Sequence, residues 1–125
     1  MKIIVVDDEP IIVDTLVDIL IGEGHEALAV SNGKSAIEWA GMVRPDAVVT
    51  DVVMPGLNGV ETAKEIRRLL PSCRIILFSG QAASTDLVSK ARAEGYIFEV
   101  LAKPINPDLL LEKLNSSPED AVDSS

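Results

Sequence analysis

Five short apolar runs alternate with five stretches of helical periodicity along the chain. The runs are KIIVV (2–6), EALAV (26–30), DAVVT (46–50), RIILF (74–78) and IFEVL (97–101). The first, third and fourth are apolar nearly throughout, which predicts strands covered on both faces. EALAV and IFEVL carry polar positions and are expected nearer the margins of a sheet. Residues 10–22 place Ile12, Leu16 and Leu20 at helical spacing, and 59–70 do the same with Val60, Ala63, Ile66 and Leu70 before Pro71 stops the helix. Shorter patterns at 34–43, 83–94 and 107–114 complete the set, with Gly24 and Gly95 placed as helix-ending glycines. Strict alternation of strand and helix implies an α/β fold. Its five parallel strands form a doubly wound sheet with helices on both faces, joined by right-handed crossovers. Residues 115–125 (NSSPEDAVDSS) are polar and acidic and read as a disordered tail behind a domain at 1–114.

Composition narrows the function. Hydrophobic residues make up 47% of the chain but aromatics only 3%, so the core is aliphatic. A net charge of −9 argues against direct nucleic-acid binding, because phosphate repels it. Cys73 is the only cysteine, which removes an internal disulfide and a cysteine-based metal site. The apolar start meets Asp7 and Asp8 at once, and no window is long enough to cross a bilayer, so the expectation is a cytoplasmic protein without membrane contact.

In an open parallel sheet, ligands bind outside the carboxyl ends of the strands. The first run is followed by Asp7 and Asp8, the third by Asp51, the fourth by Ser79-Gly80 and the fifth by Lys103-Pro104. Taken singly, each is an ordinary cap or turn residue. Together they send three carboxylates, a hydroxyl and an ammonium to one edge, where mutual repulsion of the acids costs stability. A hard divalent cation removes that cost, since carboxylates without histidine or cysteine select Mg²⁺, with Mn²⁺ as a substitute. Lys103 then offers a point charge to an anion on the far side of the ion. This set describes a phosphoryl group on or near a carboxylate.

The acidic pair Asp7-Asp8, the segment DVVMPGLNG (51–59), Ser79-Gly80 and Lys103-Pro104 match, in identity, order and spacing, the receiver domain of two-component response regulators. The chain resembles that family over about residues 2–114. The resemblance implies a flavodoxin-like sheet of order 2-1-3-4-5 and an Asp51 that accepts a phosphoryl group from the phosphohistidine of a partner histidine kinase or phosphotransfer protein. It implies that Asp8 and Asp51 hold Mg²⁺ with the backbone carbonyl of Val53, and that Asp7 acts through metal-bound water. It further implies that Lys103 meets the phosphoryl oxygens, that Ser79 is the switch hydroxyl and that the Lys103–Pro104 peptide is cis. It implies a downstream protein partner as well.

Three positions depart from the family pattern. Val100 stands where an aromatic switch residue is usual, and Phe98, two residues earlier, reads as a packed core residue. Val53 and Gln81 flank the path of a hydrolytic water in the family, and Val53 has no polar group to orient one. His25 lies in a loop and is a poor phosphotransfer histidine, and Trp39 reads as packing. A dehalogenase-type phosphatase needs a second aspartate where Val53 stands, and a flavin carrier needs a phosphate loop where DDEP would repel it. On the first helix, Ile12, Val13, Leu16, Ile19 and Leu20 share one face, while Ile11 lies on the polar side near Thr15, three residues after Asp8. Ile11, Thr15, Pro104 and Ile105 are therefore expected to form the docking surface of the kinase, with Ile11 as the apolar anchor.

Overall fold

The computed structural model describes residues 1–80 and 82–116. Gln81 and the 117–125 part of the expected tail lie outside them. The elements are β1 (Lys2–Val6), α1 (Pro10–Gly22), β2 (Glu26–Val30), α2 (Gly33–Val43), β3 (Ala47–Asp51), α3 (Gly59–Leu69), β4 (Arg74–Ser79), α4 (Ala82–Ala93), β5 (Glu99–Ala102) and α5 (Pro107–Asn115). The strands form one sheet of order β2-β1-β3-β4-β5 with every neighbour parallel. This is the flavodoxin-like order that the resemblance implied. EALAV and IFEVL supply the two margins, and the three nearly apolar runs fill the centre.

Alternation along each strand builds two cores, one on either face. Ile4, Val6, Val48, Ile75 and Leu77 pack with Ala36 and Ala40 of α2 and Val60, Ala63 and Ile66 of α3. On the other face Ile3, Val5, Val49, Ile76 and Phe78 pack with Val13, Leu16 and Leu20 of α1 and Leu110 and Leu114 of α5. Ile12 and Ile19 are only half-buried, so the stripe of α1 that enters the core is narrower than the periodicity suggests. Side-chain caps start three helices: Asn32 accepts from Ser35 N–H at 2.8 Å, Asn58 from Glu61 N–H at 2.9 Å and Asn106 from Asp108 N–H at 2.9 Å. Trp39 does not pack away. It is 41% exposed on α2, beside an apolar groove shared with Leu28, Met42 and Val43.

Several boundaries differ from expectation. Strands β3 and β4 each run one residue further, so Asp51 and Ser79 are the last strand residues and not the first loop residues. Strand β5 starts at Glu99, two residues later than the apolar run. Gly95, at φ +98°, ends α4, and Tyr96 N–H donates to the Ala91 carbonyl at 3.0 Å. Tyr96 then stacks on Phe98 with ring centroids 5.9 Å apart, which buries Phe98 against α3 and leaves Ile97 76% exposed. Phe98 is a core residue, placed before the strand. Finally, α5 reaches Asn115, and Ser116 N–H donates to the Glu112 carbonyl at 3.1 Å. The Arg74 guanidinium binds both carboxylate oxygens of Glu99 and the carbonyl of Ser116.

Candidate functional site

The parallel register brings the strand ends together. In it, Asp51 pairs with Phe78, and Ser79 with Ala102. Asp7 follows β1 directly, its N–H held by the Val30 carbonyl at 3.2 Å. The carboxylates of Asp7, Asp8 and Asp51 each place an oxygen within 4.8 Å of the others. Asp8 is exposed, while Asp7 and Asp51 are buried at 1% and 5% exposure. Lys103 reaches across from the end of β5, with Nζ 3.1 Å from Asp51 Oδ2 and 3.6 Å from Asp7 Oδ2. Its own N–H donates to the Ser79 carbonyl at 3.0 Å, and the Lys103–Pro104 peptide is cis. A cleft of about 440 Å³ opens above this group, lined by Asp8, Glu9, Asp51, Val53, Met54, Pro55, Gly80 and Lys103.

Electrostatics follow from this crowding. Burial raises the Asp7 carboxyl from 3.8 to about 6; the Glu9 N–H on its Oδ1 at 3.0 Å works against that, and repulsion from Asp51 adds to it. Asp7 Oδ2 is buried and accepts no hydrogen bond, although such oxygens are nearly always paired. Burial acts to lower the Lys103 ammonium, but the hydrogen bond and charge of Asp51, with the charges of Asp7 and Glu9, outweigh it and raise its pKa. Three hard oxygen donors with, among the described residues, no histidine or cysteine in the group fit a hard divalent cation, and the unsatisfied buried Asp7 Oδ2 adds to that fit. A single lysine offsets only part of the acidic charge.

Two glycines allow the close approaches. A Cβ on Gly59 would lie 1.9 Å from the Asp51 carbonyl oxygen, and one on Gly80 would lie 2.9 Å from Lys103 Cβ. Gly59 N–H instead closes the β3–α3 loop on the Val52 carbonyl at 2.8 Å. Thus Asp7, Asp8, Asp51, Val53 and Lys103 converge. Ser79 is half-buried at the end of β4, and its neighbour Gly80 reaches the cleft wall. Ile11, Thr15, Pro104 and Ile105 line a separate apolar groove of about 250 Å³ that adjoins the cleft through Lys103. Ile11 is 82% exposed there, and the Thr15 hydroxyl donates to the Ile11 carbonyl at 2.7 Å. Sequence reasoning missed Glu9 on the cleft wall. It occupies the N-cap position of α1 without capping it, a signal that only coordinates reveal.

Fold and edge together define a doubly wound α/β domain whose carboxyl edge carries an acidic cleft bridged by one lysine. The family model of the response regulator receiver domain matches residues 3–115, and the chain belongs to that family, the signalling domains of two-component systems. It is 34% identical over 117 residues to the chemotaxis protein CheY of Thermotoga maritima, covering 91% of this chain and 94% of that one. It is also 34% identical over 123 residues to the DNA-binding transcriptional regulator NtrC of Azospirillum brasilense, covering 98% of this chain but 24% of that protein. Among solved structures, a response regulator receiver domain protein from Clostridium thermocellum superposes with a TM-score of 0.79 at 32% identity, covering 87% of this chain and 86% of that one. Among the described residues, no helix is long and apolar enough to cross a membrane.

Proposed function

We propose that this chain is a phosphorylation-controlled switch that takes a phosphoryl group on Asp51 from the phosphohistidine of a histidine kinase or phosphotransfer protein. The observation that carries the reading is the convergence of Asp7, Asp8 and Asp51 within 4.8 Å beneath a lysine that bridges two of them. Asp51 is the nucleophile. It ends a rigid, buried strand, and one carboxylate oxygen attacks phosphorus while the phosphorus–nitrogen bond to the donor imidazole breaks. Asp8, Asp51 and the Val53 carbonyl would hold Mg²⁺, or Mn²⁺ in its place, with Asp7 acting through a bound water. The ion, when bound, neutralises the acids and offers positive charge to the phosphoryl oxygens.

Lys103 has the length and charge to leave Asp51 Oδ2 for a phosphoryl oxygen, replacing one anionic partner with another. Its departure from the Asp51–Asp7 bridge and the response of the Ser79 hydroxyl would carry the event to the protein-binding surface. The domain acts only on its own phosphoryl group, and its output is a change of partner. The groove of Ile11, Thr15, Pro104 and Ile105 adjoins the cleft through Lys103, which supports it as the docking surface for a helix presenting the phosphohistidine. The test is incubation with a small acyl phosphate and Mg²⁺, followed by intact mass. The wild type should gain one phosphoryl group, and Asp51→Asn should gain none. A wild type that stays unmodified, or a variant that gains the same mass, refutes the assignment.

A further inference from the structure

Lys103 must hold its ammonium above Asp51 across a whole strand. It leaves the sheet from the end of β5, Asp51 ends β3, and β4 lies between them. Neighbouring strands are about 4.8 Å apart, so the stem has to cross β4 to reach Asp51. The structure shows what lies under that span. Gly80 leaves room for the stem, because a Cβ there would come within 2.9 Å of Lys103 Cβ and 3.3 Å of its Cδ. Phe78 lies under the far end. It pairs in register with Asp51 on one side and Leu101 on the other, so its ring shares the face of the sheet on which Asp51 projects. Lys103 Nζ sits over that ring at 5.3 Å from its centroid.

We propose that Phe78 is a positioning residue for Lys103, its ring face holding the ammonium over Asp51 ready for an incoming phosphoryl oxygen. The inference rests on the reading of Asp51 as phosphoacceptor and adds a member to that site. Two carboxylates alone do not fix the ammonium. Asp7 is at 3.6 Å, beyond hydrogen-bond range, and only the Asp51 contact at 3.1 Å is directional. A four-carbon stem with one such contact retains rotamer freedom. The electron-rich face of Phe78, which is 0% exposed, closes the underside of the site. There it attracts the cation without competing for its hydrogen bonds. An aliphatic residue would fill the same space in this otherwise aliphatic core and supply no such attraction. In the transfer, the bond from phosphorus to the donor breaks as the bond to Asp51 forms; a phosphohistidine donor leaves as imidazole, and a small acyl phosphate leaves as a free carboxylate. Lys103 meets charge that is already on the phosphoryl oxygens, so its placement beforehand sets how often the encounter is productive.

The experiment replaces Phe78 alone with mono-, di- and trifluorophenylalanine, which keep the ring's shape and progressively withdraw its electron density. Two rates are read on the full chain, with thermal melts as the control for packing. One is phosphorylation by a small acyl phosphate with Mg²⁺. The other, without phosphodonor, is labelling of Lys103 by a small amine-directed reagent, read by peptide mass. Stepwise fluorination should slow phosphorylation to roughly a fifth to a tenth at the trifluoro stage and raise Lys103 labelling in parallel. Phe78→Leu should fall at the far end of both series. Unchanged labelling across the series overturns the proposal, as does a phosphorylation rate that tracks melting temperature instead of fluorine count. Labelling that responds in a protein that takes no phosphoryl group upholds the seat under Lys103 and refutes the phosphoacceptor reading instead.

Discussion

Replacing Asp7 by Asn should stabilise the metal-free protein, and the gain should depend on pH. The wild-type carboxyl is 1% exposed, its Oδ2 accepts no hydrogen bond, and Asp51 repels it. Its pKa is lifted from 3.8 to about 6. Each unit of difference between folded and unfolded values corresponds to ~1.4 kcal/mol, so ionising this group costs at most about 3 kcal/mol. That bound already includes the attraction of Lys103, 3.6 Å away, and asparagine keeps the oxygen that accepts Glu9 N–H, so the net gain should lie below it, at about 1–2 kcal/mol. The sign follows from which state binds the proton more tightly. Below pH 3.8 both states carry it and no penalty exists. From there to about 6 the folded wild type holds the proton longer than the unfolded chain, and stability falls as pH rises. Above 6 the penalty is complete. Urea unfolding followed by far-ultraviolet circular dichroism, with chelator present, should therefore show Asp7→Asn and wild type nearly alike at about pH 4. At pH 7.5 the variant should lead by about 1–2 kcal/mol, or about 4–8 °C in Tm for a domain of this size. A gap that does not change with pH, or a variant weaker than wild type at pH 7.5, would show that the strain is not electrostatic.

Four further outcomes are expected. Mg²⁺ at tens of millimolar should raise the wild-type Tm through linkage, and less so below about pH 6 where Asp7 holds a proton; an unchanged Tm at neutral pH counts against an ion at the three acids. Phospho-Asp51 should decay faster in Val53→Asn, because the amide can orient a water in the cleft that the valine side chain lines; equal decay rates would remove Val53 from the argument. Ile11→Asp should slow phosphotransfer from the cognate kinase at least tenfold, roughly the loss of one buried hydrophobic anchor, while transfer from a small acyl phosphate is unchanged. Equal losses with both donors would mean damage to the fold, and equal retention would place docking elsewhere. Gly59→Ala should cost about 3 kcal/mol or more, since its Cβ meets the Asp51 carbonyl oxygen at 1.9 Å; a normal urea midpoint would show that the loop yields.

The strand cores, the alternation of elements and the gathering of acids at one edge were legible because they depend on local periodicity and on a general property of parallel sheets. The segment IFEVL was misread for a related reason. An apolar run does not show that its residues pair: Phe98 is buried by stacking on Tyr96 ahead of the strand, and Ile97 faces solvent. The continuation of α5 and the hold of Arg74 on Ser116 depend on contacts between residues 42 positions apart, which no local window contains. Within the cleft the sequence supplied the charged residues but not their supports. Gly80 reads as an ordinary turn until the Lys103 stem is seen passing over it, and Phe78 reads as core until an ammonium is found on its face.

Trp39 has a practical consequence for optical work on this protein. It is the chain's only tryptophan, and it stands 41% exposed on α2, next to Lys2 and Pro45 at the end of the sheet away from the acids. Its indole already meets water in the native state, so unfolding moves its emission little and fluorescence underreports loss of structure. An ion or phosphoryl group at Asp51 does not touch it. A change in its emission when either is added therefore measures a rearrangement that has travelled through the sheet to α2, and a constant emission shows that this end of the molecule stays at rest.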